Sequence, residues 1–377
     1  MQCPRCHNSD VKKLYKLHGQ YYCRQCISFQ QVFIEDIRQT KAKEFHHNDI
    51  QYRLNMSLSE NQLKISHQLV QNYKSFLNSI VLAVCGSGKT EIVFELIQYA
   101  LSQGHRVCFC IPRKELVKEL YQRIKVAFCD VDIGLLYGGH IENSEAQLIV
   151  CTMHQLYRFE NGIGFQLMIA DEVDAFPFYQ NKVLNEIFLR CCVRNYVKMS
   201  ATVSLDQIHN EELLIMNRRY HGYDLPVPKV LHIPTSFQRY VLKYLLKRIK
   251  KKTIVFVPTI AQVKNIEFFL SKDFKVQGVS SINKDNQITI QKLKRGEIQV
   301  IVSTTLLERG VTIEDVQVIV YQGEHALFDR KTLIQMAGRV GRKPQHPDGK
   351  VYILTSERTK EISQCIHTLK TLNKMNV

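Results

Sequence analysis

Ala83-Val84-Cys85-Gly86-Ser87-Gly88-Lys89-Thr90 ends an apolar run over residues 80–84 and opens an amphipathic stretch over residues 90–103. A buried strand, a glycine-rich loop and a helix, in that order, are what a phosphate loop needs. Glycines let successive backbone N–H groups close around an anion, the helix N-terminus adds positive potential, and a lysine reaches the outer phosphates. Gly86, Ser87, Gly88 and Lys89 are therefore expected around the phosphates of a nucleotide, with the Thr90 hydroxyl on Mg2+. The strict pattern has glycine where Ala83 stands. Ile92, Val93, Leu96, Ile97, Ala100 and Leu101 share one face of the expected helix, and Gly104 stops it.

Working outward, Asp171-Glu172-Val173-Asp174 follows the buried run 167–170, about eighty residues after the loop. A strand end with two adjacent carboxylates divides the work of hydrolysis: Asp171 orients Mg2+ and Glu172 orients and deprotonates the attacking water. Further along stand Lys198-Met199-Ser200-Ala201-Thr202, then Ser303-Thr304-Thr305 running on to Glu308-Arg309-Gly310-Val311-Thr312. Last comes Gln335-Met336-Ala337-Gly338-Arg339-Val340-Gly341-Arg342. Arg339 and Arg342, three apart among glycines, suit guanidinium groups aimed at a γ-phosphate. Taken without the other motifs, they read sooner as a basic patch facing nucleic acid.

The alternation of apolar runs and amphipathic segments predicts α/β architecture with parallel sheets. Strands are expected at 106–111, 147–151, 166–170 and 196–199, and again at 253–257, 299–302, 317–321 and 350–354. Pro226, Pro228 and Pro234 mark a linker over 223–236 between domains at 46–222 and 237–377. The second domain is expected to open with a helix over 237–251, its apolar face formed by Phe237, Tyr240, Val241, Tyr244, Leu245 and Ile249.

Residues 1–45 differ in character. Cys3-x2-Cys6 and Cys23-x2-Cys26 are separated by sixteen residues, a spacing that places four thiolates around one tetrahedral zinc. A redox dithiol or an iron–sulfur cluster is the competing reading. His7, His46 and His47 are not needed, because four sulfurs close a structural site. Lys12, Lys13, Tyr15, Lys16, Tyr21, Tyr22 and Arg24 interleave charge with aromatic rings, which fits either nucleic-acid contact or a solvated ribbon face. The other eight of the twelve cysteines have no disulfide-like spacing and are expected as reduced core thiols.

The 377 residues carry 51 Lys and Arg against 35 Asp and Glu, a net charge of +16. Such an excess points to a polyanion, most commonly nucleic acid; an anionic membrane surface, or solubility alone, is the alternative. No apolar run reaches the roughly 18–20 residues of a membrane span, and MQCPRCHNSD has no signal-peptide core, so a cytosolic chain is expected.

The ordered motifs from about Leu58 to Leu354 resemble a superfamily 2 helicase core. Tyr137-Gly138-Gly139, Thr152-Met153-His154-Gln155, Asp171 through Pro177, Gln335 through Arg342 and the four-cysteine module most resemble the late-competence DNA-uptake ATPase family, ComFA. That family is related to the primosomal replication-restart helicase, whose cysteines interrupt the second domain instead. The resemblance implies two RecA-like domains in tandem, with ATP and Mg2+ bound in the cleft between them and one structural Zn2+. It implies that Gln62 recognises adenine, that Gln335, Arg339 and Arg342 complete the ATP site, and that Lys89, Asp171, Glu172 and Arg342 are catalytic. Arg113, Gly138, Gly139, Thr152 and His154 resemble strand-contacting motifs of the first domain, and Thr259, Thr304 and Thr305 those of the second. It also implies movement along single-stranded DNA at the inner face of the membrane, alongside an uptake channel and other competence proteins. A replication-restart or repair helicase is the alternative enzyme, and a non-enzymatic zinc-dependent DNA-binding scaffold the alternative of another class.

Overall fold

The computed structural model describes the chain apart from residues 37–38, 85, 203–209, 284, 309–312 and 376–377. Cys85 of the phosphate loop and the 309–312 part of the motif begun at Ser303 lie outside the described residues. The chain divides into two compact units, Met1–Ala83 with Gly88–Met216, and Val84–Ser87 with Asn217–Val377.

The first unit begins with a hairpin, β1 (Leu14–Leu17) antiparallel to β2 (Gln20–Cys23). Then come α1 (Glu60–Lys74), β3 (Asn78–Ala83), α2 (Phe94–Ser102), β4 (Val107–Ile111), α3 (Lys114–Ala127), β5 (Ile133–Tyr137), β6 (His140–Glu142), β7 (Leu148–Thr152), β8 (Phe165–Ala170), α4 (Lys182–Cys191), β9 (Cys192–Ser200) and β10 (Glu211–Met216). Among the described residues the sheet order is β10-β3-β9-β8-β4-β7-β5-β6, parallel except for the β5–β6 pair. The central strands are buried on both faces, as parallel strands under crossover helices must be. In β4, Val107, Phe109 and Ile111 join the core cluster shared with α2 and α3. Cys108 and Cys110 point to the opposite core, which the cysteine module helps to build.

That module is bolted down by a charge. Arg5 and Glu160 are fully buried and ion-paired; Arg5 Nε donates to Glu160 Oε1 at 2.7 Å, and its Nη1 donates to the carbonyls of Gln30 at 2.9 Å and Cys26 at 3.3 Å. Lys41 exchanges backbone hydrogen bonds with the loop at Gly162 and Gly164.

The second unit runs β11 (Lys229–His232), α5 (Thr235–Ile249), β12 (Thr253–Phe256), α6 (Ile260–Leu270), β13 (Val276–Val279), α7 (Asn286–Arg295), β14 (Val300–Ser303), β15 (Gln317–Val320), α8 (Arg330–Ala337), β16 (Val351–Thr355) and α9 (Lys360–Lys374). Its sheet is parallel throughout the described residues, in the order β11-β16-β15-β12-β14-β13. Alternate residues again feed opposite cores, Ile254 and Phe256 one, Val255 and Val257 the other.

Four expectations need correction. The stretch 223–236 is not linker throughout: β11 forms there, flanked by Pro228 and Pro234, which an edge strand tolerates. The helix after the phosphate loop opens with a 3-10 turn, Glu91–Val93, before α2. Cys129 is exposed, whereas Cys108, Cys110, Cys151, Cys191 and Cys365 are buried as expected. Helix α5 is rotated from the face assigned to it: Gln238, Leu242, Leu245 and Leu246 are buried, while Phe237, Tyr240 and Tyr244 face solvent.

Candidate functional site

Loops that leave the C-terminal ends of parallel strands collect at one sheet edge, where ligands of such folds bind. β3 ends at Ala83, and the loop after it turns on Gly86 (φ +83°) and Gly88 (φ +74°), backbone conformations that L side chains rarely adopt. At Gly88 a side chain is excluded twice over, because a Cβ would collide with Gln62 Nε2. Gln62 is held in place by the start of α1: Ser59 N donates to Gln62 Oε1 at 2.8 Å, and Gln62 N donates to Ser59 Oγ at 3.4 Å, a reciprocal capping box. Ser87 and Thr90 are buried, and Thr90 begins the turn that leads into α2.

β8 delivers Asp171 to the same edge. Lys89 Nζ lies 2.6 Å from Asp171 Oδ1. Burial pulls the Lys89 ammonium toward neutrality, but Asp171, then Glu172 and Asp174, more than offset it and hold the lysine charged. Burial pushes the Asp171 carboxyl up, against the pull of Lys89. Glu172 has φ +54°, a left-handed backbone that costs a non-glycine residue energy, and its N–H donates to Asp171 Oδ1 at 2.7 Å. Thr202 Oγ1 donates to Asp174 Oδ2 at 2.6 Å, and Thr202 N donates to Ser200 Oγ at 3.0 Å. The Ser200-Ala201-Thr202 motif thus braces the acidic loop, a role that spacing alone did not assign.

In the second unit, α8 starts at the Asp329 cap and ends at Gly338. Gln335 and Arg339 are buried, and Arg342 Nε donates to the Gly338 carbonyl at 2.9 Å. The Gly341 carbonyl accepts from buried Arg219 and, at 3.0 Å, from His221 Nε2. Arg219 also lies against Gly86, 3.8 Å from where a Cβ would stand. Sequence reading missed Arg219; the Arg218-Arg219 pair at the end of the first α/β stretch was its one visible trace.

The proposed strand contacts also sit where parallel strands end. Arg113 follows β4 and stands at the N-cap of α3. Gly138 and Gly139 form the exposed turn after β5, and Thr152 ends β7, buried. His154 is exposed but stacks on Phe29 of the cysteine module, centroids 5.5 Å apart, and partial burial pushes its imidazole down. In the second unit, Thr259 follows β12 and caps α6, and Thr304 and Thr305 follow β14.

Cys3, Cys6, Cys23 and Cys26 bring their sulfurs within 4.8 Å of one another. The Cys3–Cys26 and Cys6–Cys23 separations are both 3.8 Å. A tetrahedral zinc with Zn–S bonds of about 2.3 Å has S···S edges of about 3.8 Å, so the donor set fits that ion in number, element and spacing. The crowded thiols cannot all ionise without a cation: hydrogen bonds from Cys26 and then Cys6 push Cys3 down, while the bond to Cys3 pushes Cys26 up.

The family model described as helicase conserved C-terminal domain matches residues 237–344, and that described as type III restriction enzyme, res subunit, matches residues 55–205. The competence protein ComFA of Streptococcus pneumoniae (strain ATCC BAA-255 / R6) is 31% identical over 394 residues, spanning 99% of this chain and 90% of that protein. The chain belongs to the ComFA family. ComFA of Bacillus subtilis (strain 168) is 29% identical over 405 residues, 99% of this chain and 86% of that protein. Solved structures share the fold: S. cerevisiae Dbp5 bound to RNA and ADP BeF3 (TM-score 0.59, 17% identity, 84% of this chain and 92% of that one), and the DUF1998 helicase MrfA bound to DNA and AMPPNP (0.58, 16%, 90% and 56%). The ComFA-family chain is therefore an ATP-dependent superfamily 2 helicase or translocase built on two RecA-like domains.

Proposed function

We propose that the chain hydrolyses ATP to move along single-stranded DNA, and that this movement drives uptake of transforming DNA during competence. The observation that carries the reading is the Lys89–Asp171 pair, 2.6 Å apart where β3 and β8 end at one sheet edge, in a chain of the ComFA family. With a triphosphate and its Mg2+ bound, Lys89 would meet the outer phosphates, the Thr90 hydroxyl would hold the metal and Asp171 would orient it through its water shell. Gly86, Ser87 and Gly88 wrap the phosphates, and Gln62, beside Gly88, reads the adenine. Glu172 takes the proton of the attacking water. Gln335, Arg339 and Arg342 serve the nucleotide from the second unit, Arg342 by stabilising charge on the transferred phosphoryl group.

The strand is held through its phosphates at Arg113, Gly138, Gly139, Thr152 and His154 in the first unit and at Thr259, Thr304 and Thr305 in the second. Phosphate contacts fix position without reading sequence, which suits a motor. One Zn2+ on Cys3, Cys6, Cys23 and Cys26 supports a module over residues 1–45, ahead of a first motor domain at 46–222 and a second at 237–377. No helix among the described residues is long and apolar enough to cross a membrane. We place the motor peripherally at the inner membrane face, beside the uptake channel.

ATP turnover with and without single-stranded DNA tests the reading. Strong stimulation by single strands, and translocation without separation of a labelled fork, are expected. Efficient fork separation would move the chain to replication restart or repair, and no turnover under either condition would leave a DNA-binding scaffold.

A further inference from the structure

Helix α5 turns its aromatic residues to solvent. Phe237, Tyr240 and Tyr244, three and four residues apart, are 61%, 51% and 56% exposed, and Phe268 near the end of α6 is 72% exposed. Three large rings along one side of α5 exceed the scattered apolar residues of an ordinary exterior, and clustering of this kind marks a docking surface. The setting is cationic on balance: residues 235–252 contain seven Lys and Arg and no carboxylate, with Lys243 and Lys247 paired to Asp273 and Lys251 to Asp315.

Two of the exposed rings, Tyr240 and Tyr244, each stand beside an arginine. The Arg239 guanidinium stands 4.8 Å from the Tyr240 centroid and 5.7 Å from that of Phe269, and its Nη2 donates to Tyr240 Oη at 2.8 Å. Arg248 stands 5.7 Å from the Tyr244 centroid and donates from Nη1 to Tyr244 Oη at 3.0 Å. Tyr240 and Phe269 meet edge to face at 5.9 Å, joining the two helices into one platform. A helix made to lie on a membrane separates its apolar and basic faces. Exposed rings with an arginine beside them, as at Tyr240 and Tyr244, suit a single nucleic-acid strand, whose bases stack while its phosphates are neutralised.

The platform is also tied to the proposed track. The Gln322 N–H donates to Gln238 Oε1 at 3.1 Å, Gln262 Nε2 donates to Gln322 Oε1, and Gln262 N donates to Thr259 Oγ1 at 3.2 Å. The first turn of α5 is thereby linked to Thr259 at the strand-end edge of the second sheet.

We propose that the α5–α6 face is an additional seat for single-stranded DNA, continuing from Thr259, with Phe237, Tyr240 and Tyr244 stacking on bases and Arg239 and Arg248 meeting phosphates. The inference rests on the single-stranded DNA reading given above. The full chain is compared with two variants, Phe237→Ala/Tyr240→Ala/Tyr244→Ala and Arg239→Gln/Arg248→Gln, by anisotropy titration of labelled oligothymidylate at several salt concentrations. Thermal melting verifies that each variant is folded, which the exposure of all five residues favours.

The aromatic variant should lose about tenfold or more in affinity, and the arginine variant should flatten the logarithmic salt dependence by about 0.7 for each phosphate it no longer neutralises. Unchanged affinity and slope in both variants, with strong binding by the parent chain, overturns the seat and leaves the translocase reading intact. A parent chain that binds no single strands overturns both. Variants that keep DNA affinity but no longer sediment with phosphatidylglycerol vesicles assign the face to lipid, and the seat is overturned.

Discussion

Lys89 and Asp171 form one ion pair, yet their expected roles differ, and substitution separates them. Lys89→Ala should lose ATP binding and hydrolysis together, because the phosphates lose the cation of their loop and Asp171 is left with a buried, unneutralised charge. Glu172→Gln keeps shape and the left-handed backbone but cannot accept a proton. It should retain nucleotide while turnover falls by roughly 10²–10⁴. Nucleotide binding and single-turnover hydrolysis measure the two separately; near-normal turnover in Glu172→Gln removes it as the base. At this scale the placement of the candidate nucleotide residues was legible, because a glycine-rich loop with its lysine and a pair of carboxylates sit at fixed offsets from apolar strands, here β3 and β8. Arg219 was not, since the Gly341 carbonyl and the Gly86 backbone that it meets are distant in sequence, which no local pattern encodes.

At the scale of elements, the cysteine module is joined to the rest of the first unit by the buried Arg5–Glu160 pair. Arg5→Ala takes this cation away from the buried Glu160 carboxylate and should be strongly destabilising, by about 3–5 kcal/mol in chemical denaturation. Replacing both partners by leucine should cost far less; equal losses in the single and double variants would show that packing, not charge, holds the two together. Metal acts on the same element. Cys23→Ser should release one zinc per chain, measured by elemental analysis, and unfold the hairpin of β1 and β2, because so small a segment has little core of its own. Circular dichroism should show the α/β sheets retained. Iron in place of zinc, or a fully folded metal-free hairpin, sinks the assignment. Among the motor elements, the central strands were legible because parallel strands are apolar on both faces. β11 was hidden by its prolines, and the orientation of α5 by rings that satisfied helical spacing while pointing outward. Helical periodicity identifies a stripe; it does not say whether that stripe meets the core or a ligand.

Across the whole molecule, the net charge of +16 is matched by proposed strand contacts in both units. Each phosphate neutralised releases counterions, so affinity for single strands should fall linearly on logarithmic axes as salt rises, with a slope near −0.7 for every phosphate engaged. If cations of the second unit, Arg239 and Arg248 among them, neutralise phosphates beside the contacts at Thr259, Thr304 and Thr305, a fragment of residues 1–216 must show a shallower slope than the full chain. The fragment can be tested alone because the cluster around Val81, Phe109 and Val150 and the cluster around Cys108, Met168 and Phe188 both lie within it. Its melting transition should remain cooperative, and anisotropy titrations between about 50 and 200 mM salt give the two slopes. A steep full-chain slope and a shallow fragment slope are expected, the difference counting the phosphates held by the second unit. Identical slopes with equal affinities would confine the strand to the first unit, and a motor that grips its track with one domain cannot step along it by alternating grip between two.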